Sequence, residues 1–254
     1  MGQMMTSMLR RGRWIFAFAV VALGAENVVC AHSPGGIPAL PFLPPIPWLA
    51  ILFGIIWVAC GVGLLIERWM RASSFALGTL YIAWTLGNVV PKYIAQPGDM
   101  GLRTIVFEPL SLACIALLLP GPSAIPAWAG RTCCAVVGIA MIVFGADHFL
   151  ALGFIGSLLP GWIPWHAFWV AFFGLVFIAC GIGIGLRFLE RWCWIAIGLM
   201  FAIWVVTLHV PRTLGFYSIP GAFTDPNEWS SLFIAIGLGG GSWTVASGLR
   251  DEVH

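Results

Sequence analysis

The sequence predicts an all-α membrane protein with eight transmembrane helices, arranged as two four-helix bundles of the same orientation. Three observations lead to this fold class: the composition, eight long apolar stretches, and an internal repeat. Of the 254 residues, 60% are hydrophobic and 9% are charged, with a net charge of +2. A soluble domain carries roughly a quarter of its residues as Asp, Glu, Lys and Arg. So few charges would leave the surface of a soluble globule largely apolar, and we therefore expect the lipid bilayer to surround the chain. The small net charge also gives no reason to expect nucleic acid as a partner.

Eight stretches approach the roughly 20 apolar residues that a helix needs to cross the hydrocarbon. They are residues 14–32, 46–66, 73–91, 105–120, 131–150, 163–187, 192–210 and 229–247. The first stretch follows Arg10, Arg11 and Arg13, which is also the outline of a signal peptide. Because this segment has a counterpart deep in the chain, where no signal peptide occurs, we assign it as the first membrane helix.

The distribution of Lys and Arg predicts the orientation, since cytoplasmic loops carry an excess of both. With a cytoplasmic N-terminus, nine of these residues lie inside: Arg10, Arg11, Arg13, Arg68, Arg71, Arg131, Arg187, Arg191 and Arg250. Only Lys92, Arg103 and Arg212 lie outside. We therefore expect both termini in the cytoplasm and an integral protein of a bacterial inner membrane.

An internal repeat divides the chain into residues 1–122 and 123–254 at an offset of 120. The segment Ala59–Gly63 matches Ala179–Gly183. Further matches are Arg71 with Arg191, Trp84 with Trp204, Pro91 with Pro211, Lys92 with Arg212, and Glu108 with Glu228. Because four spans are an even number, both copies have the same orientation and are related by an axis along the membrane normal. The glycines Gly61, Gly63, Gly181 and Gly183 are expected to let helix backbones approach closely.

The chain resembles the DoxX-like membrane proteins, which are four-helix units, over most of each half, and it looks like a tandem duplication of that unit. The resemblance rests on Gly181–Gly185, on Arg187 and Arg191, and on the run from Trp204 to His209. It implies a quinone-linked or redox-accessory role, because some members are associated with thiosulfate:quinone oxidoreduction or with other membrane redox complexes. The first copy has Val89 where His209 stands, and both copies lack the acidic residue that many members carry in the second span.

Each copy places an acid, a base and a second acid near the outer face of the membrane. In the first copy we predict structural ion pairs in which the base bridges the two acids: Glu26, Lys92 and Glu108. In the second copy the same positions are Asp147, Arg212 and Glu228, and three histidines join them: His148, His166 and His209. Ionisable residues inside spans are costly and mark functional sites. We therefore predict a cofactor-binding site formed by Asp147, His148, His166, His209, Arg212 and Glu228.

The residues of this predicted site fit more than one kind of ligand. Imidazole and carboxylate groups bind transition metals, and a histidine also exchanges protons with a quinone headgroup, since it titrates near neutral pH. Histidines that merely cap helix ends are the alternative, and His32 is expected to face solvent. The uncharged loops 33–48 and 151–165 form either a lid or aromatic anchors at the interface. The seven cysteines lie mostly in apolar runs and are interpreted as small buried thiols.

The leading functional hypothesis is a redox-accessory subunit that works beside quinone or another membrane oxidoreductase, with other membrane subunits as partners. A purely structural subunit is the first alternative. A small-solute transporter is the second, although a transporter carries its polar site near the midplane. Whether the chain is an enzyme is left open by the sequence.

Overall fold

A computed structural model describes Ser7 and residues 10–30, 47–121, 123–216 and 225–249. All regular secondary structure in these ranges is helical. The α-helices are α1 Gly12–Val29, α2 Pro47–Leu65, α3 Glu67–Trp84, α4 Val90–Ala95, α5 Met100–Leu118, α6 Ala127–Leu150, α7 Leu152–Leu158, α8 His166–Leu186, α9 Glu190–Trp204, α10 Val210–Thr213 and α11 Pro226–Gly248. The predictions for His32, Arg250 and the loop 33–46 lie outside the described residues.

Six helical stretches are long and apolar enough to cross a bilayer: α1, α2, α5, α6, α8 and the stretch Glu190–Thr213 that contains α9 and α10. The chain is therefore a polytopic membrane protein. Each of the eight stretches predicted from the sequence coincides with a helix, and all-helical membrane architecture is confirmed. The assignment of α3 and α11 as two further spans stays a prediction.

A π-helical segment continues α3 and another continues α9, at matching positions of the two repeats. They are Thr85–Val89 and Val205–His209, and each runs directly into α4 or α10. A proline, Pro91 or Pro211, follows each segment. Proline lacks the N–H for one helical hydrogen bond and clashes with a carbonyl of the preceding turn. A wider π turn accommodates this defect, so the helix continues where the sequence suggested that a span ends.

Consecutive helices of each repeat pack against each other, and the circuit is closed by contacts between the repeats. Helix α1 packs extensively against α11, and α5 packs against α6, so the first helix of each repeat contacts the last helix of the other. The two last helices, α5 and α11, also touch. The predicted arrangement of two four-helix bundles is therefore not confirmed. The described helices form one closed ring, and the two repeats meet at the α1–α11 and α5–α6 interfaces.

Glycines allow the closest helix approaches, as the sequence predicted. A Cβ atom at Gly61 in α2 would lie 2.6 Å from Cγ2 of Val21 in α1. In the second repeat, a Cβ atom at Gly181 in α8 would lie 2.5 Å from the carbonyl oxygen of Gly138 in α6. Real Cβ atoms do not sit this close to other atoms, so any larger residue would push these helices apart.

Matched side-chain contacts extend the repeat beyond the backbone. The rings of Trp57 and Tyr81 have centroids 5.3 Å apart, and the rings of Phe177 and Phe201, at the positions 120 residues later, have centroids 5.7 Å apart. Asn27 Nδ2 donates to the carbonyl oxygen four residues earlier in α1 at 2.7 Å, and His148 Nδ1, at the equivalent position of α6, makes the same contact at the same distance. Because equivalent positions keep equivalent contacts, either repeat can serve as a reference for the other.

Candidate functional site

The acidic residue of each first helix contacts the last helix of the other repeat. Glu26 Oε1 accepts a hydrogen bond from Ser230 Oγ in α11 at 2.7 Å. Asp147, which is 6% exposed, forms an ion pair with Arg103 in α5. The sequence prediction paired these acids with the base of their own repeat, whereas the structure joins them across the α1–α11 and α5–α6 interfaces. The acids therefore hold the two repeats together.

Arg212, Glu228 and His209 are the predicted site residues that the structure brings together. Arg212 Nε donates to Glu228 Oε2 at 3.0 Å, and its Nη2 donates to the other carboxylate oxygen. Thr213 Oγ1 donates to the backbone oxygen of Glu228 at 3.3 Å. His209 ends the π segment just before α10 and lies within electrostatic range of both charged groups. A bidentate arginine–carboxylate pair of this kind fixes geometry as well as charge.

His148 lies in an aromatic cluster between α6, α8 and α9. Its Nδ1 donates to the Phe144 carbonyl oxygen at 2.7 Å, and its ring lies 5.3 Å from the Phe177 ring and 5.9 Å from the Trp204 ring. Phe173 packs on the other side of Trp204, with centroids 5.5 Å apart. These residues, His148, Phe144, Phe173, Phe177 and Trp204, are called the His148 cluster below.

The His148 cluster presents one acceptor and one donor without partners. A carbonyl oxygen can only accept, so Nδ1 of neutral His148 carries the proton and Nε2 carries a lone pair. No described residue hydrogen-bonds to that Nε2. Trp204 Nε1 is buried and has no acceptor among the described residues. Buried polar groups are normally hydrogen-bonded, so this cluster suits a ligand that carries both a hydroxyl and a carbonyl.

The three predicted histidines do not converge. His166 opens α8, and its Nε2 lies 3.1 Å from the Pro160 carbonyl oxygen. It precedes Gly174, which faces His148, by eight residues of the same helix, or about 12 Å. Within the described residues no three His, Cys, Asp or Glu side chains lie close enough to hold a metal ion. The described geometry therefore gives no support to the metal alternative.

Glu26, Lys92 and Glu108 do not form the predicted set of ion pairs in the described part of the chain. Lys92 is exposed on α4, and no ion pair within the described residues involves it. Glu108 is the ninth residue of α5, which begins five residues earlier than the predicted span. The glutamate therefore lies deeper along its helix than the sequence suggested.

Sequence reasoning missed a buried polar face on α3 and the π segment that follows it. Its members are fully or almost fully buried: Ser74, Tyr81, Thr85 and Asn88. The positions 120 residues later are Trp194, Phe201, Val205 and Leu208, of which only Trp194 carries a polar atom, its indole N–H. A position-by-position comparison of the two repeats reveals this difference, whereas the positions of charged residues and histidines alone do not.

No protein-family model, no curated protein and no solved structure matches this chain. The similarity to DoxX-like proteins therefore stays a prediction from the residues that carry it.

Proposed function

We propose that this membrane protein is a redox-accessory subunit that binds a quinone headgroup in the His148 cluster, beside another membrane oxidoreductase. The observation that supports this proposal is the unpartnered pair of polar groups, His148 Nε2 and Trp204 Nε1, inside an aromatic environment. A quinone headgroup is flat and carries oxygens at opposite ends, which accept when oxidised and donate when reduced. Aromatic walls with a few placed polar groups are typical of small-molecule sites.

In this proposal His148 acts as the proton acceptor and Trp204 as the orienting donor. Nε2 of His148 receives a hydrogen bond, and then a proton, from a ligand hydroxyl, because that nitrogen carries the lone pair of the neutral ring. The Nδ1–H bond to the Phe144 carbonyl keeps the ring in the required tautomer throughout. Trp204 donates to the opposite ligand oxygen, and Phe177 packs against the ring face. A bound quinol would supply two electrons, which would pass to the partner subunit, and two protons, of which His148 would accept one and water the other.

The neighbouring ion pairs act as positioning groups in the same proposal. Asp147 adjoins His148 in α6 and is tied to α5 through Arg103. Arg212 and Glu228 tie the end of the helix that carries Trp204 to α11. His209 lies within electrostatic range of that pair, and His166 Nε2 contacts the Pro160 carbonyl oxygen at the start of α8. These contacts hold the helices of the cluster at fixed distances.

The topology that accompanies this proposal has eight spans and two cytoplasmic termini. Helices α3 and α11 each have a repeat counterpart, Glu190–Thr213 and Met100–Leu118, that is long and apolar enough to cross a bilayer. If all eight helices cross the membrane, the His148 cluster lies in the outer half of the bilayer. A periplasm-facing partner of a bacterial inner membrane would then share the site.

The two alternatives differ in what the structure offers them. A structural subunit needs only lateral contacts, and the chain has many exposed apolar side chains for lipid or protein neighbours. A transporter would need a pathway between the repeats. In the described residues glycines pack the α5–α11 seam, and a Cβ atom at Gly237 would lie 3.0 Å from Leu112. No observation therefore favours a transporter.

The test is binding of decylubiquinol, the reduced quinone whose hydroxyl can donate to His148 Nε2, to the purified protein in lipid nanodiscs under reducing conditions. We expect H148A to weaken binding at this site by roughly tenfold, since it removes an acceptor and a ring contact. The matched control is N27A, which alters the equivalent position of the first repeat and should leave this affinity unchanged. Equal affinity of H148A and the wild-type protein, together with no quinone in a lipid extract of the purified protein, would favour the structural alternative.

A further inference from the structure

We propose a second ligand site in the first repeat, where Trp57 and Tyr81 bind the carbonyl oxygen of a membrane-soluble compound. The pair lies between α2 and α3, with ring centroids 5.3 Å apart. Trp57 is 5% exposed and Tyr81 is 4% exposed. This site is distinct from the His148 cluster and does not depend on it.

Both residues of the pair bury a hydrogen-bond donor for which the described part of the chain offers no acceptor. Trp57 Nε1 and Tyr81 Oη are buried and have no partner among the described residues. The nearest polar side chain on the same helix face is Thr85, whose hydroxyl donates to the backbone oxygen of Tyr81 at 2.7 Å and so is already engaged. Two orphaned donors on facing helices therefore point to a missing acceptor.

The second repeat shows how this space is filled when no acceptor is needed. Phe177 and Phe201 occupy the equivalent positions and pack edge to face with centroids 5.7 Å apart. A phenylalanine pair satisfies the packing without any polar atom. The first repeat instead carries the two aromatic residues that add a donor to the same shape. Because an unsatisfied buried donor is costly, the extra polar atoms indicate a role beyond packing.

The chemistry of the two donors limits the ligand. A single carbonyl oxygen has two lone pairs and can accept from both an indole N–H and a phenol O–H. The thiol of Cys60 lies within electrostatic range of Tyr81. A neutral carbonyl compound fits these groups.

The depth of Trp57 in the bilayer determines which membrane compounds can bring a carbonyl group to the pair. Trp57 lies ten residues from the start of α2, or about 15 Å along the helix. That distance is near half of the roughly 30 Å hydrocarbon thickness. Phospholipid ester carbonyls stay near the interface, whereas the headgroup of an isoprenoid quinone can enter the hydrocarbon. Quinone is therefore the favoured source of the carbonyl, and an ester lipid is the alternative source.

The experiment measures how many decylubiquinone molecules bind in nanodiscs made from ether-linked lipids, which contain no ester carbonyl. We expect H148A to retain one bound molecule. In that background Y81F and W57F should each weaken binding roughly 2- to 12-fold, the range for one lost hydrogen bond. F201Y, which adds the same hydroxyl to the second repeat without a tryptophan beside it, should leave the affinity unchanged.

Each outcome separates this site from the His148 cluster. If H148A binds no decylubiquinone while the wild-type protein binds one, the second site is refuted and the proposed function stands. If H148A has no effect on decylubiquinol binding and Y81F abolishes decylubiquinone binding, the second site stands and the His148 cluster is refuted as the quinone site.

The stability of the Y81F variant, measured without decylubiquinone, is an independent test of the second site. In ester-lipid nanodiscs, an ester carbonyl at the site would make Y81F less stable than the wild-type protein, and the difference would vanish in ether lipids. A hydroxyl that binds nothing makes Y81F more stable in both lipids, since the substitution removes only a buried unsatisfied oxygen. Greater stability of Y81F in both lipids, together with unchanged decylubiquinone affinity, overturns the proposal. A destabilised Y81F with no effect on decylubiquinone affinity in either lipid indicates a bound water and also overturns it.

Discussion

Removing Arg103 should destabilise the protein strongly, because it leaves Asp147 charged and alone at the interface between the repeats. The Asp147 side chain is 9% exposed and that of Arg103 is 25% exposed. Breaking one partner of a buried ion pair costs about 3–5 kcal/mol. Partial exposure of Arg103 lets water screen the pair, so we expect R103A to lose about 3 kcal/mol of unfolding free energy, at the lower end of that range.

A double-mutant cycle measures the pair directly. Thermal or denaturant unfolding of R103A, D147A and the double variant in detergent should give a coupling energy of at least about 1 kcal/mol. The matched cycle uses R212A with D147A, the partner that the sequence predicted. Residues without shared partners couple by less than about 0.5 kcal/mol, so that second cycle should give nearly additive losses. A coupling larger in the second cycle than in the first would refute the arrangement across the repeats.

Two further predictions test the packing of the helices. Gly183→Ala should cost about 1–3 kcal/mol in thermal unfolding, because the new methyl group overlaps the thiol of Cys193; Gly185→Ala is the control, since nothing lies within 4 Å of the added atom. A disulfide should form between A19C and G237C under mild oxidation, because a Cβ atom at Gly237 lies 3.4 Å from that of Ala19, close to disulfide range. Cross-linking read by peptide mass spectrometry should be absent from A19C paired with G185C. Equal cross-linking of both pairs would contradict the packing of α1 on α11.

Apolar periodicity located the helices well, but it could not choose their partners. Residues 46–66 and 163–187 were predicted as spans and coincide with Pro47–Leu65 and His166–Leu186. The last helices of the two repeats, however, resemble each other, and hydropathy does not say which of them α1 contacts. That choice depends on side-chain shape across the interface, such as the close approach of Gly12 in α1 to the α11 backbone at Gly240.

Arg103 shows how an error in a helix boundary hid a partner. The fourth span was predicted to begin at residue 105, which left Arg103 in a loop at the outer face. In the structure Asp99 caps α5 by accepting from the Leu102 backbone N–H at 2.9 Å, so the helix begins at Met100. Aspartate is a preferred N-cap residue, and recognising that signal would have put Arg103 on the helix that faces Asp147.

The two repeats differ in the kind of polar side chain that each of them buries. The charged and imidazole groups cluster in the second repeat, where His148 stands at the position of Asn27 in the first. Tryptophan and tyrosine count as apolar residues in a membrane sequence, so their neutral N–H and O–H donors do not stand out there. Yet at Trp57 and Tyr81 the two repeats keep the same ring positions and differ in donor groups. The two repeats thus keep different polar groups around equivalent aromatic positions, because Phe177 of the His148 cluster stands where the first repeat has Trp57. If both places hold a ligand, H148A should abolish binding at one of them and Y81F at the other, and the same effect of both variants on one bound molecule would contradict two separate sites.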